Sequence, residues 1–247
     1  MPISSPRLWT PEQRLPQAGP ALRPLNGETE TALWWLGLMR AYQQDPVKFV
    51  MEACYTKDPT NLRDSVARIP YEEYITEVMI PAYLSDRPVV AIPKSRRILL
   101  TWVACMLNLR LAMWTESATI FVVSKDQTDS DQLVHRCKFV YDRLPTKLPK
   151  PRMIERMGKK GFVTRLEFVE TGSSITGLDS DPDTLRQEGA TLLHCEEFAF
   201  WKKAEEAYTA MLPTIQGGGR VRILSSAKAL TFFSKLVYDK NISAVSA

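Results

Sequence analysis

The chain has 247 residues, 45% hydrophobic and 24% charged, ordinary globular values and enough for one large α/β domain with a sizeable core. A net charge of +4 permits a nucleic-acid partner without requiring one, since a dedicated binder clusters its charge on one face. No apolar run reaches membrane-span length, and prolines interrupt the N-terminus where a secretion signal needs an apolar core, so we expect a soluble, intracellular protein.

Residues 1–28 carry Pro2, Pro6, Pro11, Pro16, Pro20 and Pro24 without apolar periodicity and read as an extended or disordered arm. Over residues 28–55, Leu33, Trp34, Leu36, Met39, Phe49, Val50 and Cys54 follow a helical pattern broken near Pro46. A polar linker (56–65) and a helix over 71–84, carrying Tyr74, Ile75, Val78 and Met79, complete an N-terminal helical segment, residues 29–87.

Strands then alternate with helices through a core of residues 88–235. Residues 89–92 are a short buried strand and 101–114 an apolar helix. Residues 118–124 are a near-continuous apolar strand of the kind that a parallel sheet buries on both faces. The next helix aligns Leu133, Cys137, Val140, Tyr141 and Leu144 on one face. Residues 163–169 and 173–178 read as a hairpin, and 191–195 and 221–225 as further buried strands. Between Arg143 and Arg165, Lys147, Lys150, Arg152, Arg156, Lys159 and Lys160 sit among Pro145, Pro149 and Pro151. This reads as a stiff basic loop, either touching DNA phosphates or simply solvated. The pattern predicts an α/β fold with a mainly parallel central sheet flanked by helices.

Three segments carry chemistry. The first strand runs into Lys94-Ser95-Arg96-Arg97-Ile98-Leu99-Leu100-Thr101, which opens a helix, the placement of a phosphate-binding loop. The pattern G-x-x-x-x-G-K-[ST] puts Lys94 at its first position and Leu100 where the lysine normally stands. Either the lysine is relocated, or this is a basic β–α turn that happens to start a helix. In the first case the loop's backbone N–H groups hold phosphate oxygens, Lys94 adds a point charge and the Thr101 hydroxyl holds Mg²⁺. Second, the strand ending in Glu196-Glu197 brings two carboxylates to the end of a parallel strand that faces a ligand crevice, one for a metal and one for an attacking water. On a solvated helix start the same pair would carry no chemistry. Third, Ser225-Ser226-Ala227 ends another strand in hydroxyls that can report on a γ-phosphate. Cys54, Cys105, Cys137 and Cys195 sit singly in apolar runs, and neither His194-Cys195 nor His135-x-Cys137 fits a zinc template, so we assign the cysteines to core packing as reduced thiols. Trp34, Trp35, Trp102, Trp114 and Trp201 are likewise read as core.

Taken in order, these segments resemble the ATPase domain of the large terminase subunit, the motor that packages double-stranded DNA into tailed-phage heads. Ser95-Arg96-Arg97 stands where that family often has S-R-Q, and its lambda-like members place lysine at the first loop position, as Lys94 is here. Glu196-Glu197-Phe198-Ala199-Phe200 is similar to the family's D-E-x-A-F, with Glu replacing Asp on the metal side. Ser225-Ser226-Ala227 resembles its coupling motif. Asp58-Pro59, Pro70-Tyr71 and Tyr74 resemble the segment that touches adenine, and Gly172-Ser173-Ser174-Ile175 and Arg186-Gln187-Glu188-Gly189 the lead into the acidic strand. The resemblance spans about residues 45–235.

It implies a P-loop NTPase fold of the type with an additional strand and a catalytic glutamate, using ATP and Mg²⁺. Lys94 through Thr101 would bind phosphate, Arg96 stabilise the transferring phosphoryl group, Thr101 and Glu196 hold the metal, and Glu197 activate water. Implied partners are double-stranded DNA, a capsid portal, a small terminase subunit and further copies in a ring, with no membrane, in the host cytoplasm. Arg136 or Arg143 is a candidate for an arginine acting on the neighbouring subunit's site. About twenty residues follow Ser226, with Asp239 their sole acid, so we expect no ribonuclease-H-type nuclease in this chain. The alternatives are an assembly module with a degenerate nucleotide site or a helicase-like ATPase.

Overall fold

The computed structural model describes residues 28–57, 65–95, 98–158, 161–186, 189–238 and 243–244. The predicted arm up to residue 27, Asp58-Pro59, Arg96, Arg97, Lys159, Lys160, Gln187, Glu188 and Asp239 therefore lie outside the described residues.

Helix α1 (Glu28–Gln44) stops ahead of Pro46 as predicted, and Asp45 caps the short α2 (Pro46–Lys48) by accepting from the Lys48 N–H. Trp35, Leu38, Met39 and Tyr42, at i, i+3, i+4 and i+7, face the core, so Leu33 (62% exposed) and Leu36 (41%) are left outside the stripe. A π-helical turn (Phe49–Ala53) follows, then β1 (Thr56–Lys57), which pairs antiparallel with β2 (Val66–Ala67). The helix expected over 71–84 is a π-helical stretch (Tyr74–Met79) running into α3 (Ile80–Leu84).

The remaining strands are β3 (Val89–Lys94), β4 (Thr119–Val123), β5 (Met153–Met157), β6 (Val163–Phe168), β7 (Ser173–Leu178), β8 (Leu192–Glu196), β9 (Arg220–Ser226) and β10 (Ser243–Ala244). Among the described residues they form one eight-stranded sheet in the order β10-β3-β9-β8-β4-β7-β6-β5. Every pair from β10 to β7 is parallel, and only β6 and β5 at one edge run antiparallel to their neighbours.

Alternation along each strand sorts side chains into two layers. Val90, Ile92, Ile120, Val122, Leu192 and Leu224 face α4 (Leu100–Trp114) and α5 (Gln127–Arg143). Ala91, Phe121, Val123, Leu193, Cys195 and Ile223 face the other side, where α6 (Pro182–Leu185), α7 (Ala204–Met211) and α8 (Phe232–Tyr238) pack. Helix α4 is apolar all round because it is buried from Val103 to Leu109. All four cysteines are free and buried in this core. Trp201 is buried, while Trp35, Trp102 and Trp114 are half-buried against the core.

The basic stretch between α5 and β6 is not a loop throughout. Met153–Met157 forms the edge strand β5, paired with β6. Its residues are half-buried or exposed, so it carries no apolar alternation, and only the ladder offered by β6 makes it a strand. Arg156 and Arg165 both pair with Glu167, so these two cations are less free than the composition suggests.

Strand β9 enters the sheet through Gly219, where a Cβ would stand 2.0 Å from the Ala190 carbonyl oxygen. Gly219→Ala must push two backbones apart, and we expect it to lower unfolding free energy by about 3 kcal/mol, measured by urea denaturation.

Candidate active site

The site forms at the C-terminal ends of three adjacent parallel strands. Lys94 ends β3, and the sheet register sets it beside Ser226, which ends β9. Glu196 ends β8 on the other side of β9, level with Leu224. The additional strand between the loop strand and the acidic strand is therefore β9, the strand that carries Ser225 and Ser226.

Beyond β3, the chain turns into α4 through Leu99, whose φ of 61° puts it in the left-handed region. Leu99 holds the sixth position of the loop pattern, normally a glycine, and adopts the backbone conformation that glycine adopts without strain. Non-glycine residues persist there when surrounding structure holds them, and Leu99 packs against the core beside Ile98. Leu99→Ile, which keeps the volume but branches at Cβ, is expected to cost about 1–2 kcal/mol of stability in chemical denaturation.

Four side chains converge at this point. The Lys94 ammonium lies 2.6 Å from Glu196 Oε1 and 3.0 Å from Glu197 Oε1, and its Nζ is 3.4 Å from Thr101 Oγ1. Thr101, in the first turn of α4, donates to Glu196 Oε1 over 2.8 Å. Glu197 also has a left-handed backbone (φ 51°), and its carboxylate accepts from both the Ser226 N–H (3.2 Å) and Ser226 Oγ (3.3 Å). Ser225 is buried and accepts from the Ala199 N–H, tying β9 to the turn after the glutamates, while Ala227 is exposed past the strand end. Ser95 is exposed at the loop entrance and Leu100 is buried at the start of α4.

Burial pushes the Glu196 carboxyl up, but the hydrogen bond from His194 and the Lys94 charge outweigh it and hold it below the ordinary carboxylate range. Burial likewise pushes the Lys94 ammonium down, and Glu196 and Glu197 bring it above the ordinary lysine value. The pair's contribution to stability is thus lost only as pH falls through the depressed glutamate value or rises through the raised lysine value.

Among the described residues, no group of three or more His, Cys, Asp or Glu converges into a self-sufficient metal site. Thr101 Oγ1 and Glu196 Oε1 are instead a pair of hard oxygens, a donor set that suits Mg²⁺, which takes one or two protein oxygens and completes its shell with water and phosphate.

Pro70 is half-buried, whereas Tyr71 (59% exposed) and Tyr74 (37%) present their rings to solvent. Arg136 lies over the Trp102 ring and Arg143 over the Phe139 ring, and neither is among the partners of Lys94, Glu196 or Glu197.

No family model and no curated protein matches the chain. Solved structures do match it in fold. The large terminase ATPase domain of Thermus phage P74-26 superposes with a TM-score of 0.57 at 14% identity, over 72% of this chain and 80% of that one. The large terminase of bacteriophage HK97 gives 0.58 at 11% identity, covering 78% of this chain and 40% of that one. The large terminase of a thermophilic bacteriophage gives 0.52 at 12% identity, covering 68% and 44%. The fold is that of a large terminase ATPase domain.

Within this terminase ATPase fold, the sequence reading misses Asn108 altogether and weighs His194 only as a zinc ligand, not as a partner of Glu196. His194 and Asn108 are both fully buried, and they form a hydrogen-bonded line that ends on Glu196. A signal for them exists in the spacing. His194 precedes Glu196 by two residues on one strand and so shares its face, and Asn108 follows Thr101 by seven on one helix and so shares its side. A lone Asn in an apolar helix and a lone His in an apolar strand fit core packing equally well until the two elements are docked.

Proposed function

We propose that the chain hydrolyses ATP with Mg²⁺ and acts as a terminase-type motor, driving double-stranded DNA into a capsid. The observation that supports this reading is the convergence of one ammonium, one hydroxyl and two carboxylates at the C-terminal ends of β3, β8 and β9, at the start of α4.

In this reading the backbone N–H groups opening α4 cradle the phosphates, with the helix dipole adding to the hydrogen bonds. Lys94 gives up a carboxylate oxygen for a phosphate oxygen, keeping a negative partner throughout. Thr101 and Glu196 hold Mg²⁺, which when bound would neutralise charge on the phosphate oxygens. Glu197 orients the attacking water and accepts its proton, its carboxylate lying between Lys94 of β3 and Ser226 of β9. Arg96 stabilises the transferring phosphoryl group. Because Ser226 holds both oxygens of Glu197, a change in that carboxylate's partners on hydrolysis reaches β9 directly. The coupling residues Ser225, Ser226 and Ala227 then carry it to the DNA-handling surface of a ring assembled on a portal with a small terminase subunit. Pro70, Tyr71 and Tyr74 flank the adenine, and Arg136 or Arg143 reaches the neighbouring subunit's site.

The test is phosphate release by the purified chain, with and without double-stranded DNA. We expect ATP hydrolysis that chelation with EDTA abolishes and excess Mg²⁺ restores. A chain that fails to bind a fluorescent ATP analogue in either condition would instead be an assembly module.

A further inference from the structure

The carboxylate of Glu196 is held from both ends. Oε1 faces Thr101 and Lys94, while Oε2 accepts from His194 Nε2 over 3.1 Å. Behind His194, Asn108 Nδ2 lies 3.0 Å from its Nδ1, and the Tyr83 hydroxyl donates to Asn108 Oδ1 over 2.6 Å. The Tyr83 and His194 rings meet edge to face, 5.8 Å between centroids. Tyr83, Asn108, His194 and Glu196 are all buried, with exposures of 3%, 0%, 0% and 5%.

Each link has a direction. An amide that accepts from Tyr83 through its oxygen presents its N–H₂ to the histidine, and a ring nitrogen facing that donor must carry a lone pair. The proton of the neutral ring therefore sits on Nε2, where it meets Glu196. An apolar side chain in place of Asn108 would leave the tautomer unset, and an aspartate would favour the opposite one. The far end is anchored as well. The buried Arg222 guanidinium donates to the backbone carbonyls of Tyr83, Ser85 and Arg87, fastening the end of α3 to β9.

We infer that His194, set by Asn108 and Tyr83, is a positioning residue that fixes which oxygen of Glu196 is offered to the metal. The inference rests on the proposed Mg²⁺-ATP reading. The buried N–H on Oε2 opposes rotation of the carboxylate and chelation through both oxygens, so once Lys94 turns to phosphate it is Oε1, beside the Thr101 hydroxyl, that is offered to the cation. Outer hydrogen-bond partners of metal-binding groups are worth about 10–100-fold in metal affinity or activity.

Glutamine can put an amide N–H where the histidine has Nε2–H, whereas phenylalanine keeps the ring's bulk without a donor. The experiment is a Mg²⁺ titration of fluorescent ATP-analogue binding to wild type, His194→Phe and His194→Gln, with melting temperature and Mg²⁺-free binding measured alongside. We expect His194→Phe to raise the Mg²⁺ midpoint about 10–100-fold while Mg²⁺-free binding stays at the wild-type level, and His194→Gln to recover most of that shift. Equal midpoints in wild type and His194→Phe, or equal losses in both variants, would overturn the assignment. If His194→Phe does not fold, Asn108→Leu takes its place, with the same midpoint shift expected and an unchanged midpoint overturning the assignment. A wild-type chain that binds no nucleotide at any Mg²⁺ concentration would instead remove the ATPase reading on which this inference rests.

Discussion

Glu197→Gln is expected to lower ATP turnover by about 10²–10⁴-fold while nucleotide affinity is retained. Glutamine copies the shape of glutamate, and so keeps the left-handed turn at residue 197 filled, but an amide cannot accept a proton from water. It also puts an N–H₂ group where both carboxylate oxygens now face donors, Lys94 and Ser226 Oγ on one side and the Ser226 N–H on the other. Some local loosening of the β9 end should accompany the loss. Single-turnover phosphate release with a parallel analogue titration separates the two effects. Turnover at the wild-type rate would remove Glu197 from the role of base.

Lys94→Ala should abolish turnover and also destabilise the fold, because Lys94 is the cation between two carboxylates. Its side chain is 9% exposed and that of Glu196 7%. Breaking a buried pair by removing one partner costs about 3–5 kcal/mol, chiefly the penalty of the charge left behind. The decisive measurement is a double-mutant cycle in chemical denaturation. Lys94→Ala combined with Glu196→Gln should recover much of the stability and none of the activity, since the deeply buried charge at 196 is gone and the carboxylate left behind, Glu197, is 34% exposed and still held by Ser226. Lys94→Arg should not restore turnover, because a planar fork cannot replace a compact ammonium in contact with three oxygens. Additive stability losses would show that Lys94 and Glu196 do not act as a pair.

Much of the site was legible because its residues sit at the ends of strongly patterned elements. The apolar runs of β3, β8 and β9 mark buried parallel strands, and a charged or hydroxyl residue ending such a strand has a crevice as its only open direction. Lys94, Glu196, Glu197 and Ser226 stand out on that ground and Thr101 by opening the helix after β3, and the structure brings all five together. The glycine-free loop was the weakest part of the pattern. Leu99, at the sixth position of that pattern, takes a left-handed conformation, and flanking apolar contacts hold it there. Strand β5 was missed because nothing in Met153–Met157 alternates, and its pairing is supplied by a neighbour.

The sequence alone determined the core strands β3, β4, β6, β7, β8 and β9 with α4 and α5 among them, the two-faced burial of the sheet and the polar side chains that end its strands, since these follow from residue types and their period. Only the tertiary structure decided the neighbours. It placed β9 between β3 and β8, set Lys94 against both glutamates and docked Asn108 of α4 onto His194 of β8. Local pattern is written in each segment's own spacing, whereas which strand lies beside which depends on packing between residues a hundred positions apart, and no local period records that.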